Sequence, residues 1–426
     1  MEKQSTIALL DHIADLPDPR IARHRWHKLS DILVIAVCAV LCGAESYPAI
    51  EDFGHEREAW LKQFLELPEG IPSHDTFNRV LRLLDPVQFQ ACFLRWMHAV
   101  AEVTQGEVVA IDGKALRRSF AQGTAKRAIH MVSAWATENG VVLGQRKVAT
   151  KSNEITAIPE LLDLLALRGC IVTIDAMGCQ RTIAEKIVAQ GADYVLALKG
   201  NQPTLEQAVE RFFVSGAEAD THRSQSAYQV QTEQGHGRVE TRCAWLSADL
   251  NAELQAVAWP GLRSIGMVQA SRTLAGETSV EQRFYLTSLP PAAPQFAQAV
   301  RKHWGIENQL HWSLDVTFRE DQSRLRMGHG AENFAVLRHI ALNLLRQEPS
   351  AKSLPRKRLA CALNPDYLLK VLLGKRFYCV NPVPFSSRPT WLPCGRGVES
   401  YHRHALCPRL CLRDLASRAR RASLFR

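Results

Sequence analysis

RKHWGIENQLHWSLDVTFREDQSRLR, residues 301–326, is the stretch on which the reading of the whole chain turns. At helical spacing His303, Glu307, His311 and Asp315 recur every four residues, a polar stripe on a segment otherwise built of Trp304, Ile306, Leu310, Trp312, Leu314 and Phe318. A helix this apolar is expected to be mostly buried. Buried ionisable groups cost several kcal/mol each, roughly, unless they are paired or hold a cation. The stripe is therefore either a satisfied polar seam between helices or one wall of a site.

Two further carboxylates stand at special places upstream. From Glu107 the chain alternates short apolar runs with helical patterns. VVAID (108–112), AIHMVSAWAT (128–137) and VVLGQRKVAT (141–150) read as strands, the last two joined at the turn formers Asn139 and Gly140. A helix over residues 159–167 leads into the strand CIVTIDA (170–176), and a helix over 180–190 into DYVLALK (193–199). This is an α/β plan with a mixed sheet. Asp112 ends the first strand and Asp175 the fourth, and side chains at the carboxyl ends of neighbouring strands converge on the crevice where such sheets bind ligands. With Glu307 they make three carboxylates from two strands and a helix. That set suits hard cations about 3.5–4 Å apart acting on a phosphodiester. Lys114, Lys199, Arg301, Arg324 and Arg326 lie near these motifs and are candidates to neutralise phosphate.

Ahead of this region, residues 1–105 read as helical. Ser30 is positioned to cap a helix running to 44, a second pattern covers 50–65, and Ser73 caps HDTFNRVLRLL, which stops at Asp85 and Pro86 before a long helix to 103. His74, Asn78, Arg79 and Arg82 give this unit a polar face that suits either a duplex or a solvated support domain.

Composition bounds the rest. The chain has 426 residues, 46% hydrophobic and 22% charged, as expected of a soluble globular protein with more than one domain. The longest uncharged apolar run, 32–44, is too short to span a bilayer, and the first 25 residues carry Asp11, Asp15 and Asp18, unlike a signal peptide. No membrane role is expected, and the compartment is the cytoplasm. The net charge of +9 sits wholly in residues 375–426, where Lys375 and ten arginines face only Glu399 and Asp414, so a DNA-binding surface in the body must come from local clustering. Seven of the eleven cysteines are scattered through the body in apolar company. In the basic tail, Cys394, His402, His404, Cys407 and Cys411 offer zinc ligands without a regular C-x-x-C pair. The tail reads as a poorly ordered extension.

IDGKALRRS (111–119), KSNEI (151–155), TIDAMGCQ (173–180), GADYVLALKGNQ (191–202), GHGRVETR (235–242), residues 301–321 and GHGAENFAVLRHIALNLLR (328–346) together resemble the H-repeat-associated insertion-sequence transposases, a branch of the DDE class with an RNase H-like core. The resemblance runs from near the N-terminus to about residue 373. It implies a metal-binding and catalytic triad of Asp112, Asp175 and Glu307. It also implies Mg²⁺, with Mn²⁺ able to substitute, and DNA as partner, both element ends and target, held by a homodimer. The implied activity is cutting of element ends and joining of the freed 3′-hydroxyl to target DNA, in the bacterial cytoplasm at the nucleoid.

By the same resemblance, residues 216–285, with runs YQVQT (228–232), RVETRCAWL (238–246), RSIGMVQAS (263–271) and QRFYLTS (282–288), are a β-rich insertion before the Glu-bearing helix. His236, Gly237 and Arg238 fall on its hairpin, and Arg117 and Arg238 join the candidate DNA contacts. Cousin transposases place Tyr and Arg ahead of the catalytic Glu and Lys after it, where this chain has Val300, His303 and Leu314. The expected division is a helical domain at 1–105, a catalytic domain at 106–215 and 286–346, the insertion at 216–285, a helical segment at 347–374 and the tail at 375–426. A copy that binds DNA without transposing, and an RNase H-like nuclease, are the alternatives.

Overall fold

The computed structural model describes residues 8–100, 106–120, 128–149, 153–235, 237–274 and 276–374. The tail at 375–426, with the zinc reading placed there, and His236 lie outside the described residues.

The N-terminal helices are α1 (Ala8–Ile13), α2 (Leu29–Leu41), α3 (Tyr47–Glu56), the single turn α4 (Glu58–Leu61), α5 (His74–Leu83) and α6 (Pro86–Val100). The uncharged run becomes α2, and residues 32–41 are enclosed on every side, as an all-apolar helix requires. Ser30 does not cap it. The helix begins after Lys28, and the Ser30 hydroxyl donates to Asp31 Oδ1 instead. The pattern at 50–65 is two helices, broken where Arg57 leaves helical geometry and donates to the Ala362 carbonyl.

The α/β region runs β1 (Val108–Leu116), β2 (Ile129–Ala136), β3 (Val141–Lys147), α7 (Glu154–Leu162), β4 (Ile171–Ile174), α8 (Arg181–Ala189) and β5 (Asp193–Leu198). Gly140 takes the turn between β2 and β3 at φ +63°, a conformation open to glycine. The helix expected over 159–167 starts five residues earlier. Asn153, in extended geometry, precedes Glu154, and Pro159 sits inside the helix, where it removes one backbone donor. Then follow α9 (Pro203–Glu210), α10 (Ala219–Gln225), β6 (Ala227–Gly235), β7 (Arg238–Ser247), α11 (Ala252–Ala256), β8 (Ser264–Leu274) and β9 (Glu277–Thr287).

Among the described residues all nine strands join one mixed sheet in the order β3-β2-β1-β4-β5-β9-β8-β7-β6. In its first half only β2 is reversed, since β1, β4 and β5 are parallel and β3 is antiparallel to β2. That is the RNase H-like arrangement. The strands from 227 onward continue the sheet, because β9 pairs antiparallel with β5.

The chain closes with α12 (Ala293–His303), a π-helical turn (Ile306–His311), α13 (Trp312–Val316), α14 (Gly330–Gln347), α15 (Leu354–Leu363) and α16 (Pro365–Leu373). Helix α14 is enclosed along nearly its whole length and packs on α2, α5, α6 and β3. Asn343 accepts from the Val142 amide and donates to the Val142 carbonyl, so its side chain satisfies the open edge of β3. Asn333 donates to the Leu81 and Leu84 carbonyls at the end of α5. The N-terminal helices and the sheet therefore share one hydrophobic core, with α14 between them.

Candidate active site

The parallel pairing of β1 with β4 ends at Ile111 opposite Ile174, so Asp112 and Asp175 each follow the last paired residue of adjacent strands. The sequence pattern asks for that placement, and both line a cavity of about 380 Å³ together with Thr173, Lys199, His303 and Glu307.

Glu307 reaches the cavity from the π-helical turn. Such turns insert one residue into a helix and are frequent at functional sites. The expected continuous helix is therefore three segments, and its polar stripe faces the strand ends residue by residue. His303 Nδ1 is hydrogen-bonded to Thr173 Oγ1 at 3.0 Å, His311 Nδ1 lies 3.6 Å from Asp112 Oδ2, and Asp315 meets Lys114 at 2.5 Å. Ile306, Leu310, Leu314 and Phe318 point into the core, while Trp312 is exposed.

Charge in this cavity is poorly compensated. Burial pushes the Asp112 carboxyl up to about 7, and the carboxylates of Asp175, Glu154 and Glu307 add to the rise against the opposing Gly113 amide. Asp175 is raised by burial, with the Gly178 and Met177 amides pulling the other way. Burial takes both His303 and His311 down to about 4, so these imidazoles are neutral near pH 7. No Lys or Arg among the described residues forms an ion pair with Asp112, Asp175 or Glu307.

Glu154 is the residue that sequence reasoning missed. It opens α7, its Oε1 lies 2.5 Å from His130 Nε2, and it bears electrostatically on both Asp112 and Asp175. A side chain at Gly113 would collide with the Glu154 carboxylate and with His130, so the glycine after Asp112 makes room for this pair. The signal lay in KSNEI, where Asn followed by Glu is a helix start with an acidic first turn.

The candidate basic residues separate into distinct places. Lys199 is exposed on the cavity wall. Lys114, a candidate for phosphate, is occupied by carboxylates. It is largely enclosed, with Asp315 at 2.5 Å, Glu320 at 2.7 Å and Asp321 at 3.6 Å, and although burial disfavours the ammonium, Glu320 and Asp315 outweigh it and raise its pKa above the ordinary value. Arg117 extends into solvent and meets Asp321 at 3.1 Å. Arg324 and Arg326 are exposed, the latter donating to the Arg118 carbonyl. Arg238 and Arg301 lie in a second groove with Glu240 and Glu233 as partners.

Oxygen donors that repel one another at the mouth of a cavity are the chemistry a hard divalent cation requires. As the side chains stand, no three His, Cys, Asp or Glu groups among the described residues converge closely enough to cage an ion. The fit rests on donor type and on the shared cavity. No helix among the described residues is long and apolar enough to cross a membrane.

Comparison with known proteins identifies the family of this arrangement. A family model described as "Transposase DDE domain" matches residues 104–344, and one described as "DDE_Tnp_1-associated" matches residues 10–97. The chain is 46% identical over 379 residues to "Putative transposase YncI" of Escherichia coli O157:H7, covering 86% of this chain and 94% of that protein. It is 42% identical over 377 residues to "H repeat-associated putative transposase YhhI" of Escherichia coli strain K12, covering 86% and 98%. A solved piggyBac transposase synaptic complex with hairpin DNA superposes with a TM-score of 0.39 at 10% identity, over 87% of this chain and 80% of that one.

Proposed function

We propose, from the premise that this chain belongs to the transposase DDE-domain family, that it cuts the DNA ends of an insertion sequence and joins the freed 3′-hydroxyl to target DNA. The observation that carries this reading is the β1/β4 register, which sets Asp112 and Asp175 side by side at the wall of a cavity that Glu307 also lines. Asp112, Asp175 and Glu307 are assigned as the groups that would hold Mg²⁺, or Mn²⁺ in its place. A bound divalent cation would supply Lewis-acid stabilisation of the charge on phosphate and a lower pKa for the attacking hydroxyl.

The remaining steps belong to the chain's own side chains. Lys199, on the cavity wall without a carboxylate partner among the described residues, neutralises and orients the phosphate. His311, neutral near pH 7, stands against Asp112 without adding a competing charge. His303 fixes the start of the Glu307 turn to β4 through Thr173. Arg117, Arg324 and Arg326 are assigned to the flanking duplex. Two element ends held together imply two copies of the chain on the DNA.

The test is cleavage and joining of a DNA carrying the gene's own flanking ends in Mg²⁺ or Mn²⁺, comparing the wild type with Glu307→Gln. Joined products from the wild type alone are expected. Binding without cleavage by the wild type would overturn the reading in favour of a protein that only binds DNA, and cleavage of any DNA without joined product would make it a nuclease.

A further inference from the structure

Strands β6 to β9 present one face to α12, and partners in register share that face: Gln231, Arg242, Ala270 and Glu281 in one row, Glu240 and Arg272 in the next, Val268 and Arg283 in another. Near β5 the face is apolar and takes Phe296, Ala299 and Val300 of α12. Further out it turns basic. Arg238, Arg242, Arg272 and Arg283 from the sheet and Arg301 from the helix line a groove of about 260 Å³.

Resident carboxylates neutralise only part of this charge. Glu233 pairs with Arg301 at 3.1 Å and Arg242 at 3.4 Å, Glu240 with Arg242 and with Arg238 at 3.9 Å, and Glu281 with Arg283 at 2.8 Å. Five arginines against three glutamates leave two positive charges. Arg272 is exposed and has no carboxylate partner among the described residues. Arg242 Nη1 is enclosed and meets only Glu233 Oε2, at 3.4 Å and outside hydrogen-bond geometry. A donor so weakly satisfied is available to a better acceptor, and a guanidinium fork matches phosphate oxygens.

The groove also opens toward the candidate active site. Glu281, Arg283, Tyr285, Val300 and Trp304 line both it and the cavity of Asp112, Asp175 and Glu307. At that junction the Arg283 guanidinium lies 4.6 Å over the Trp304 ring. A charged groove with an aromatic face at one end is how proteins hold a single nucleic-acid strand without regard to sequence.

Resting on the reading of the cavity as the site of DNA chemistry, we propose that this groove binds a single-stranded nucleic-acid segment continuous with the strand in the cavity, its phosphates on Arg272, Arg242 and Arg283 and a base against Trp304. Stacking on Trp304 needs a base free of its pairing partner, so the bound form is an unpaired strand.

The experiment is fluorescence anisotropy with the full chain, free of divalent metal, titrated into a labelled oligothymidine of about eight nucleotides and, separately, a duplex of the same length. Arg272→Gln combined with Arg283→Gln is expected to weaken single-strand binding about tenfold and to make the log–log salt slope shallower by about 1.4, with duplex affinity within about twofold of wild type. Trp304→Ala weakens single-strand binding further and Trp304→Phe restores it. Equal losses for duplex and single strand would overturn the single-strand assignment, and unchanged single-strand binding would overturn the site. Arg272 is exposed, so Arg272→Gln alone guards against a folding artefact. A wild type that binds the strand here but never cuts would fail the transposase reading alone, whereas normal joining with unaltered single-strand binding in the arginine variants would fail the groove alone.

Discussion

Two acidic clusters lie along the second half of β1, each drawing on that strand and on residues 307–321, and they have opposite fates. Around Lys114, the carboxylates of Asp315, Glu320 and Asp321 enclose a resident ammonium, and Arg338 backs Glu320 at 3.7 Å. Burial alone would raise the Glu320 carboxyl, but Lys114, Arg338 and His339 outweigh it and hold it below the usual range. Two residues away, Asp112 shares its cavity with Asp175, Glu307 and the nearby Glu154, and its proton is held to about 7. A cluster that brings its own cations is a strut. A cluster without them has room for a cation and for the phosphate that comes with it.

The largest effect expected is on the open cluster. Asp112→Asn, Asp175→Asn and Glu307→Gln should each lower Mg²⁺-dependent cleavage by on the order of 10³-fold, several kcal/mol of lost charge stabilisation. Each change removes a repelling charge, so the metal-free urea midpoint should stay or rise. Cleavage retained in any one would remove that residue from the site, and a fall in midpoint would make the open cluster a second strut.

The closed cluster should respond the other way. Lys114→Met leaves Glu320 buried with only Arg338 opposite, and unpairing a buried charge costs about 3–5 kcal/mol. Because the folded Glu320 carboxyl lies below its ordinary value near 4.5, its stabilisation is complete above that pH and is lost as pH falls through the lower folded value. The variant should show a lower urea midpoint at pH 7 and a flatter acid limb. An unchanged midpoint would show that Lys114 is free for phosphate after all.

How much of this contrast was legible before folding depends on what kind of information each part needs. Asp175 was legible because a strand end is a local pattern, whereas β1 runs on to Leu116 along β2 and Asp112 stands only where its pairing with β4 stops. The four-residue recurrence of His303, Glu307, His311 and Asp315 was legible from local spacing. The π-helical turn was not. Four-residue spacing drifts by about 40° per step on an α-helix, and nothing local announces that a wider turn offsets part of it. The fate of Lys114 was hidden because its partners are about 200 residues away. Glu154 was masked by Pro159, which reads as a helix start although here it lies within one. The sheet's continuation through β9 and the insertion of α14 between the N-terminal helices and the sheet are likewise non-local, fixed by pairing and burial.

Glu154 stands between the two clusters in kind, since it has a partner in His130 but bears on the open set. If the open set holds Mg²⁺ as proposed, Glu154 neighbours its ligands and Glu154→Gln should weaken the apparent Mg²⁺ affinity about tenfold. Titrating cleavage by Glu154→Gln against Mg²⁺ should show the shift with little loss at saturation. A lower urea midpoint with unshifted metal dependence would instead place the His130–Glu154 pair with the struts.

The smallest effect is at the outer rim of the closed cluster. Arg117 meets Asp321 at 3.1 Å, but its side chain is 78% exposed, and exposed pairs are worth about 0–1 kcal/mol. Arg117→Gln should therefore leave the urea midpoint within that range, far from the Lys114→Met result, although both residues touch the same carboxylate. If Arg117 lies on the flanking duplex, the same variant should make the salt slope of duplex binding shallower by about 0.9, one phosphate contact, with no change in the sequence preferred. A slope identical to wild type would confine Arg117 to the rim of the strut. The boundary between cations that hold the fold and cations that hold DNA would then fall beyond Arg117, with Arg324 and Arg326 next to be tested.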